Sequence, residues 1–323
     1  MADQNKKQNS LLLSVRWWTV LAIIMIIPCL PFTQLIAQER VRKPAVAGYF
    51  YPKDKEELTK TVDDFISNVK HKQIDGKILG LMSPHAGYVF SGQVAAYSYS
   101  QIKDRQYDTV IIFGPSHHVY LKGASVGNWD AYATPLGKVK VNKEMVNALL
   151  SIGEPFHFVE QAHIREHSVE TQIPFLQRVL KRFDIVPIVM GPLSLINCKK
   201  ISEALVKIVK KRNVLFVASS DMSHYPDYSN ANNVDQNTLF LIKKYDPNLL
   251  FTSEKKVLKK GIPNLSTTLC GLSSVVTVMM TVKQLDGNAV KILHYANSGD
   301  VAIHGRRETR RVVGYGAVAF YKQ

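Results

Sequence analysis

Cysteine is scarce in this sequence, and its scarcity limits the ways in which the fold could be stabilised covalently. The 323 residues contain three cysteines, Cys29, Cys198 and Cys270. Three cysteines exclude the multiple-disulfide framework that stabilises small secreted domains. A single disulfide between Cys198 and Cys270 would require an oxidising compartment. We instead expect Cys198 to be free and buried and Cys270 to be functional.

Linkers, repeats and disorder-promoting composition are also lacking in most of the chain. Between residues 42 and 323 there is no internal repeat and no long Gly/Ser-rich or Pro-rich stretch, so no domain boundary is indicated there. Hydrophobic residues make up 46% of the sequence, which is enough to bury a large core and excludes intrinsic disorder for this part of the chain. We therefore predict one domain over residues 42–322.

Acidic residues are few relative to basic ones. The chain has 26 Asp and Glu against 41 Lys and Arg, which gives a formal charge of +15. Such an excess is typical of proteins that bind nucleic acid or anionic membranes. The basic clusters, however, carry no interleaved aromatic residues and match the surfaces and ends of helices. We therefore interpret them as solvated helix faces and do not expect a nucleic-acid partner.

One long hydrophobic run stands out, and it lies near the N-terminus. Trp17–Phe32 is apolar, follows a polar segment with a basic tendency, and is followed by the small residue Ala37. This order of basic, apolar and small residues is typical of a secretory signal peptide. Pro28 and Pro31 interrupt the run, which is short for a membrane span of about 20 residues, but an uncleaved anchor is also compatible with it. We predict that residues 1–37 are a signal peptide or an N-terminal membrane anchor, and that the protein is exported (periplasmic or extracellular) or attached to the membrane.

Short apolar runs alternate with amphipathic segments along the rest of the chain. Runs rich in Ile, Val, Leu and Phe predict buried strands at 77–83, 108–114, 184–191, 213–220, 291–299 and 314–321. Helical periodicity predicts helices at 55–69, 91–102, 143–152, 168–182, 201–211 and 272–283. Apolar strands that alternate with helices indicate an α/β fold in which a largely parallel central sheet is covered by helices on both faces.

Histidine motifs follow three of the predicted strands. His85, His117 and His224 each lie just beyond a strand end. Because ligands bind beyond the carboxyl ends of the strands in open parallel sheets, we expect the three imidazoles to converge on one crevice. Cys270 precedes an apolar helical segment, and the free N–H groups of a helix N-terminus favour a thiolate. A structural role is the simpler explanation for any one of these histidines, but three strand ends would then need three unrelated reasons.

The chemistry of these side chains favours a transition-metal site. Imidazole and thiolate are good ligands for zinc, copper and iron and poor ones for magnesium or calcium. Three protein ligands also leave coordination positions open for water or substrate, as catalytic sites require. We predict a mononuclear metal site formed by His85, His117 and Cys270.

Further polar residues surround this predicted site. Asp221 lies three residues before His224, where its carboxylate could orient the imidazole, so this pair provides the candidate catalytic acid–base residues. Glu166 and Glu170 could either start a helix or face the site. His118 is adjacent to His117 and should point away from it in an extended backbone.

Five motifs of the chain resemble, in the same order, those of the Memo family (mediator of cell motility), whose bacterial and archaeal members are called AmmeMemoRadiSam system protein B. They are PHAGY at 84–88, GPSHH at 114–118, EHSVE at 166–170, SSDMSH at 219–224 and CG at 270–271. The resemblance covers residues 42–321 and implies a fold similar to that of the class III extradiol dioxygenases. It also implies iron or copper held by His85, His117 and Cys270, with His224, close to Asp221, at the position of the dioxygenases' catalytic base.

The resemblance and the site residues leave several functions open. One is a metal-dependent oxidoreductase, a second is a non-catalytic metal-handling or protein-interaction protein that uses the same cleft, and a third is a zinc hydrolase. Cys270 takes the place of a carboxylate of the iron dioxygenases, which makes the site softer and better suited to copper. The ligand would be a small molecule or a peptide. The family name also implies a radical SAM partner, which would be cytosolic, whereas residues 1–37 predict export or membrane attachment.

Overall fold

A mixed sheet of eight strands runs through the centre of the protein, as shown by a computed structural model that describes residues 38–70, 73–210 and 212–323. The strands, in chain order, are β1 (Val41–Arg42), β2 (Lys77–Ser83), β3 (Thr109–Pro115), β4 (Ala124–Val126), β5 (Ala131–Thr134), β6 (Gly137–Lys140), β7 (Phe156–His157), β8 (Asp184–Met190), β9 (Val214–Ser219), β10 (Ala289–Asn297) and β11 (Gly314–Lys322). The order in the large sheet is β10-β11-β2-β9-β3-β8-β4-β7, and β1, β5 and β6 form a separate small sheet.

The middle of the large sheet is parallel, as the sequence predicted. Strands β2, β9, β3 and β8 pair in parallel, while β10 and β11 extend one side in antiparallel pairs and β4 pairs antiparallel to β8 on the other. Nearly every residue of the four central strands is buried. Strands that are covered on both faces must be apolar at every position, which explains why they were visible in the sequence as continuous hydrophobic runs.

Helices cover the sheet. They are α1 (Lys55–Ser67), α2 (Tyr88–Ser100), α3 (Lys143–Ile152), α4 (Gln161–Ile164), α5 (Ile173–Val179), α6 (Leu195–Val209), α7 (Tyr228–Lys243), α8 (Pro247–Leu258) and α9 (Leu272–Gln284). Helix α9 packs on α6 and on β2 and β9, and α2 packs on β2, β10 and β11 together with α1 and α5. A Cβ on Gly80 in β2 would lie 3.0 Å from both Val278 and Val282 of α9. This contact shows how closely α9 approaches the sheet.

Some elements escaped the sequence prediction. Helices α7 and α8 and the short strands β4 to β7 carry no clear apolar period, because their apolar residues are few or interrupted. The helix predicted at 168–182 is shorter than expected, with a 3-10 turn over Glu170–Gln172 before α5. Asp227 and Asp246 cap α7 and α8 through their side chains, and these caps are the signal by which both helices could have been found.

The predicted leader lies outside the described residues, so its role as a signal peptide or anchor stays a prediction. Within the described part of the chain, no helix has the length and hydropathy needed to cross a membrane. From Glu39 onward the chain belongs to one compact unit. The prediction of one α/β domain with a central sheet flanked by helices is therefore confirmed.

Candidate metal centre

The carboxyl ends of three neighbouring strands carry the predicted site residues. Strand β9 lies between β2 and β3. His85 follows β2 by two residues, His117 follows β3 by two, and Asp221 follows β9 by two. The loop before α9 brings Cys270 to the same place, where the Cys270 N–H donates to the Asp221 carbonyl oxygen (3.2 Å). The parallel register therefore assembles side chains that are far apart in the sequence.

His85, His117 and Cys270 lie close enough to hold one metal ion. One nitrogen of each imidazole and the Cys270 sulfur all lie within 4.8 Å of one another. His85 Nε2 is 3.3 Å from Cys270 Sγ. His85 is 1% exposed, whereas the His117 side chain is 27% exposed and Cys270 is half-buried. The site is thus anchored in the core at His85 and is accessible at the other two residues.

Glu166 holds His117 in place. Its Oε2 accepts the His117 backbone N–H (2.7 Å), and its Oε1 lies 2.8 Å from His117 Nδ1. Burial lowers the pKa of His117, but the hydrogen bond and negative charge of Glu166 outweigh that effect, and the pKa of His117 is raised. A carboxylate on Nδ1 orients a metal-binding imidazole and leaves Nε2 for the metal. The sequence left open whether Glu166 starts a helix or faces the site, and the structure shows that it faces the site.

His167 is a site residue that the sequence did not single out. Its ring stacks on that of His117, with centroids 4.5 Å apart, and its centroid lies 5.5 Å from that of His85. With His117 and Glu166 it forms a second group whose ligand atoms could bind a metal ion. Burial lowers the pKa of His167 to about 4. His118 is exposed, and its ring centroid lies 6.3 Å from that of His167, so its orientation away from His117 stays a prediction.

The environment of Cys270 does not favour a thiolate without a cation. Cys270 Sγ accepts the Asp221 backbone N–H (3.2 Å) and lies 3.8 Å from Ser220 Oγ. Burial raises the pKa of the thiol, and the charge of Asp221 raises it further. The sequence had suggested that the N-terminus of α9 would stabilise the thiolate, but it is not sufficient to do so. A metal ion would be needed to stabilise the anion. Cys198 is free and buried, as predicted.

Asp221 and His224 lie close together but do not form the expected hydrogen bond. His224 Nε2 is 3.9 Å from Asp221 Oδ2, which is too long. Asp221 Oδ1 instead accepts the backbone N–H groups of His85 (2.7 Å) and Ala86 (3.3 Å). His224 Nε2 is buried and has no hydrogen-bond partner among the described residues. Burial lowers the pKa of His224, which favours a neutral imidazole that can accept a proton.

Glu170 forms its contacts away from the group of His85, His117 and Cys270. It accepts hydrogen bonds from the Arg42 guanidinium, the Ala45 and Val46 backbone N–H groups (2.7 and 3.0 Å) and the Tyr51 hydroxyl (2.5 Å). These contacts attach the segment after β1 to the loop that carries Glu166. The role of Glu170 is therefore structural.

A cavity of about 450 Å³ borders the site at Cys270. Its wall includes the apolar residues Leu193, Phe251 and Leu269, and Lys255 lies at one side. The cavity is large enough to hold a small molecule beside Cys270.

Behind the site, Asp235 is a fully buried carboxyl group whose charge should affect stability. Asp235 accepts the backbone N–H and hydroxyl of Ser223 (2.9 and 3.0 Å) and the hydroxyl of Tyr295 (2.8 Å). Burial raises its pKa from 3.8 to about 7. The folded state therefore binds a proton more tightly than the unfolded state, and this contribution to stability is lost as the pH rises from about 4 through 7.

We expect Asp235→Asn to remove much of this pH dependence. The asparagine amide can accept from the Ser223 N–H and donate to both hydroxyls, so the hydrogen bonds survive without a buried charge. At pH 8 the variant should be about 1–3 kcal/mol more stable than the wild type, and at pH 4 similar to it. Urea unfolding at several pH values measures this, with the exposed Asp75→Asn as control. A variant whose stability follows the wild-type curve at all pH values would contradict the assignment.

Comparisons with known proteins cover nearly the whole described domain. A protein-family model described as Memo-like protein matches residues 42–319. The MEMO1 family protein of Nitrosopumilus maritimus (strain SCM1) is 36% identical over an alignment of 290 positions that covers 87% of this chain and 99% of that protein. The MEMO1 family protein of Thermotoga maritima is 37% identical over an alignment of 287 positions that covers 85% of this chain and 97% of that protein.

A solved structure shows a more distant similarity. An uncharacterized protein of Escherichia coli K12 aligns with a TM-score of 0.49 and 12% identity, over 74% of this chain and 99% of that one. This similarity is too low to support an inference.

Proposed function

The chain belongs to the Memo-like protein family, and on that basis we propose that it binds one redox-active metal ion, iron or copper, and acts as a metal-dependent oxidoreductase. His85, His117 and Cys270 would hold the ion. His224 would accept or donate a proton beside it, and Asp221 would fix the loop of His85.

The observation that supports this proposal is the convergence of the three ligand atoms within 4.8 Å. Two features of the surrounding residues agree with it. Glu166 occupies Nδ1 of His117, so the other nitrogen is free for a metal. The buried Nε2 of His224 has no partner among the described residues, and buried polar atoms are rarely left without one.

The donor set indicates which metal fits. Two imidazoles and one thiolate are soft to intermediate ligands, suited to copper, iron or zinc. Copper or iron would supply one-electron chemistry that the side chains cannot provide alone. The side chains would orient the ligand, limit solvent access at His85 and move protons at His224 Nε2. The cavity at Cys270 is where we place a small-molecule or peptide ligand.

A second candidate function is metal handling without turnover. The 3.9 Å distance between His224 Nε2 and Asp221 Oδ2 favours it, because a catalytic base is typically oriented by a third group, and Asp221 forms no such hydrogen bond. Both functions use the same three ligands, so they differ in whether His224 affects a reaction.

Anaerobic purification followed by metal analysis and oxygen-uptake measurements with a reductant tests the proposal. We expect about one iron or copper per chain, and His224→Ala should retain the metal but lower oxygen uptake by about 100-fold, since proton transfer by a positioned side chain contributes about 10²–10⁴. His118→Ala, which alters an exposed neighbour of the site, is the matched control. A protein without bound metal, or with zinc alone, would refute the redox function. Metal binding with uptake that does not depend on His224 would favour metal handling.

A further inference from the structure

We propose that Ser219 is a positioning residue that fixes which nitrogen of His85 faces Cys270. The proposal rests on the proposed function in one respect, the role of His85 as a metal ligand. Ser219 is the last residue of β9 and is fully buried. Its hydroxyl lies 2.8 Å from His85 Nδ1, on the side of the ring away from Cys270.

The hydrogen-bond partners of the Ser219 hydroxyl determine where its proton lies. Ser219 Oγ is 2.6 Å from the Ser168 carbonyl oxygen, 2.9 Å from Gln172 Nε2 and 2.8 Å from His85 Nδ1. A hydroxyl has one proton to donate and two lone pairs that accept. The Ser168 carbonyl can only accept, so the hydroxyl proton is directed there. The two lone pairs must then accept from Gln172 and from His85, and His85 Nδ1 carries a proton.

This assignment depends on the orientation of the Gln172 amide, which its other contacts determine. Gln172 Nε2 lies 2.9 Å from the Pro84 carbonyl oxygen, which needs a donor. Gln172 Oε1 accepts the hydroxyl proton of Tyr99 (2.7 Å). Rotating the amide by 180° would place two acceptors opposite each other at Pro84. The amide nitrogen therefore faces Ser219 and occupies one of its lone pairs.

The consequence for His85 concerns the nitrogen that faces the candidate metal. A neutral imidazole carries a proton on only one of its two nitrogens, and the hydrogen bond made by one nitrogen decides the state of the other. Because Nδ1 is the donor to Ser219, Nε2 keeps a free lone pair, and Nε2 is the atom 3.3 Å from Cys270 Sγ. Without an acceptor on Nδ1, nothing in these contacts would keep the proton off the metal-binding nitrogen.

Ser219 and Glu166 therefore have the same role: each accepts a hydrogen bond from Nδ1 of a histidine and leaves Nε2 of that ring unprotonated. Glu166 accepts a hydrogen bond from Nδ1 of His117, whose side chain is 27% exposed. Ser219 accepts one from Nδ1 of His85, which is buried in the core. A second carboxylate beside His85 would add a buried negative charge next to Asp221 and to a Cys270 thiolate, which is costly. A neutral acceptor avoids that cost, and the hydroxyl can fill this role only because Ser168 takes its proton.

The proposal is tested in the metal-free full chain by NMR of ¹⁵N-labelled histidine, in which the ring nitrogen shifts report the tautomer. The His85 signal is assigned by its loss in His85→Gln. In the wild type we expect the proton on Nδ1, and in Ser219→Ala a gain of the form protonated on Nε2. Ser219→Thr, which keeps the hydroxyl, should restore the wild-type signal. A wild-type His85 already protonated on Nε2 would overturn the proposal without any variant.

Metal binding gives the second readout. Ser219→Ala should bind iron or copper about 10- to 100-fold more weakly than the wild type, the range seen when partners of metal ligands are removed. The control is Ser83→Ala, since Ser83 is the buried β2 residue in register with Ser219 and no hydrogen bond joins its hydroxyl to His85 among the described residues. An equal loss in Ser83→Ala would overturn the proposal. If the tautomer changes between the wild type and Ser219→Ala but the wild type binds neither metal, the role of Ser219 is supported and the redox function is refuted.

Discussion

Glu170→Gln is expected to destabilise the folded state by about 3–5 kcal/mol, because it leaves the buried guanidinium of Arg42 without a counter-charge. The Arg42 and Glu170 side chains are 2% and 0% exposed. Glu170 also accepts from the Ala45 and Val46 backbone N–H groups and the Tyr51 hydroxyl. A glutamine has one amide oxygen where the glutamate has two carboxylate oxygens, and its NH₂ group cannot accept a hydrogen bond. Several of these buried donors therefore lose their acceptor at once.

The matched control for this prediction is another ion pair of the same segment. Arg40 and Glu160 lie 3.2 Å apart with side chains 51% and 44% exposed, and exposed pairs contribute about 0–1 kcal/mol. Glu160→Gln should therefore leave the melting temperature within about 2 °C of the wild-type value, whereas Glu170→Gln should lower it by about 10 °C. Equal shifts in the two variants, measured by differential scanning calorimetry, would show that the buried pair has no special role.

The strands that position the site could be predicted because their physical signal is strong. Strands β2, β3, β8 and β9 are buried on both faces, so their hydrophobic runs are continuous. The rule that parallel strands present their carboxyl ends at one edge then placed His85, His117 and His224 at one crevice before any distance was known. Cys270 was placed from its position before α9 and from the family resemblance.

The residues that orient the ligands could not be predicted in the same way. Ser219 and Ser220 are adjacent serines at the end of a strand, and the sequence does not show that the hydroxyl of Ser219, rather than that of Ser220, reaches His85. His167 follows Glu166 in the chain, yet its ring stacks on His117 because the loop turns back toward β3. The hydrogen bond expected between Asp221 and His224 is not formed, because Asp221 accepts backbone N–H groups from the neighbouring loop instead. Such contacts depend on loop conformation, which hydrophobic periodicity does not encode.

Cys270→Ala is expected to weaken binding of iron or copper by at least about 100-fold, more than the loss of any residue that only orients a ligand. The variant removes the one ligand that can carry a negative charge in a trio otherwise made of neutral imidazoles. A copper-bound or iron-bound wild type should also show an absorption band from charge transfer between thiolate and metal, and this band should be absent in the variant. Titration with a competing chelator measures the affinity, and absorption spectroscopy follows the band.

Cys198→Ala is the matched control, since Cys198 is also a free cysteine but is buried between α6 and α9, where its sulfur lies 3.8 Å from the Ser273 carbonyl oxygen. This variant should keep both the affinity and the band. Unchanged affinity in Cys270→Ala would mean that the metal is bound elsewhere. The group of His117, Glu166 and His167 would then be the candidate site. Because burial raises the pKa of the Cys270 thiol, the sulfur becomes a ligand only when a cation replaces its proton. The loss of the band in Cys270→Ala but not in Cys198→Ala would therefore identify both the ligand and its charged form.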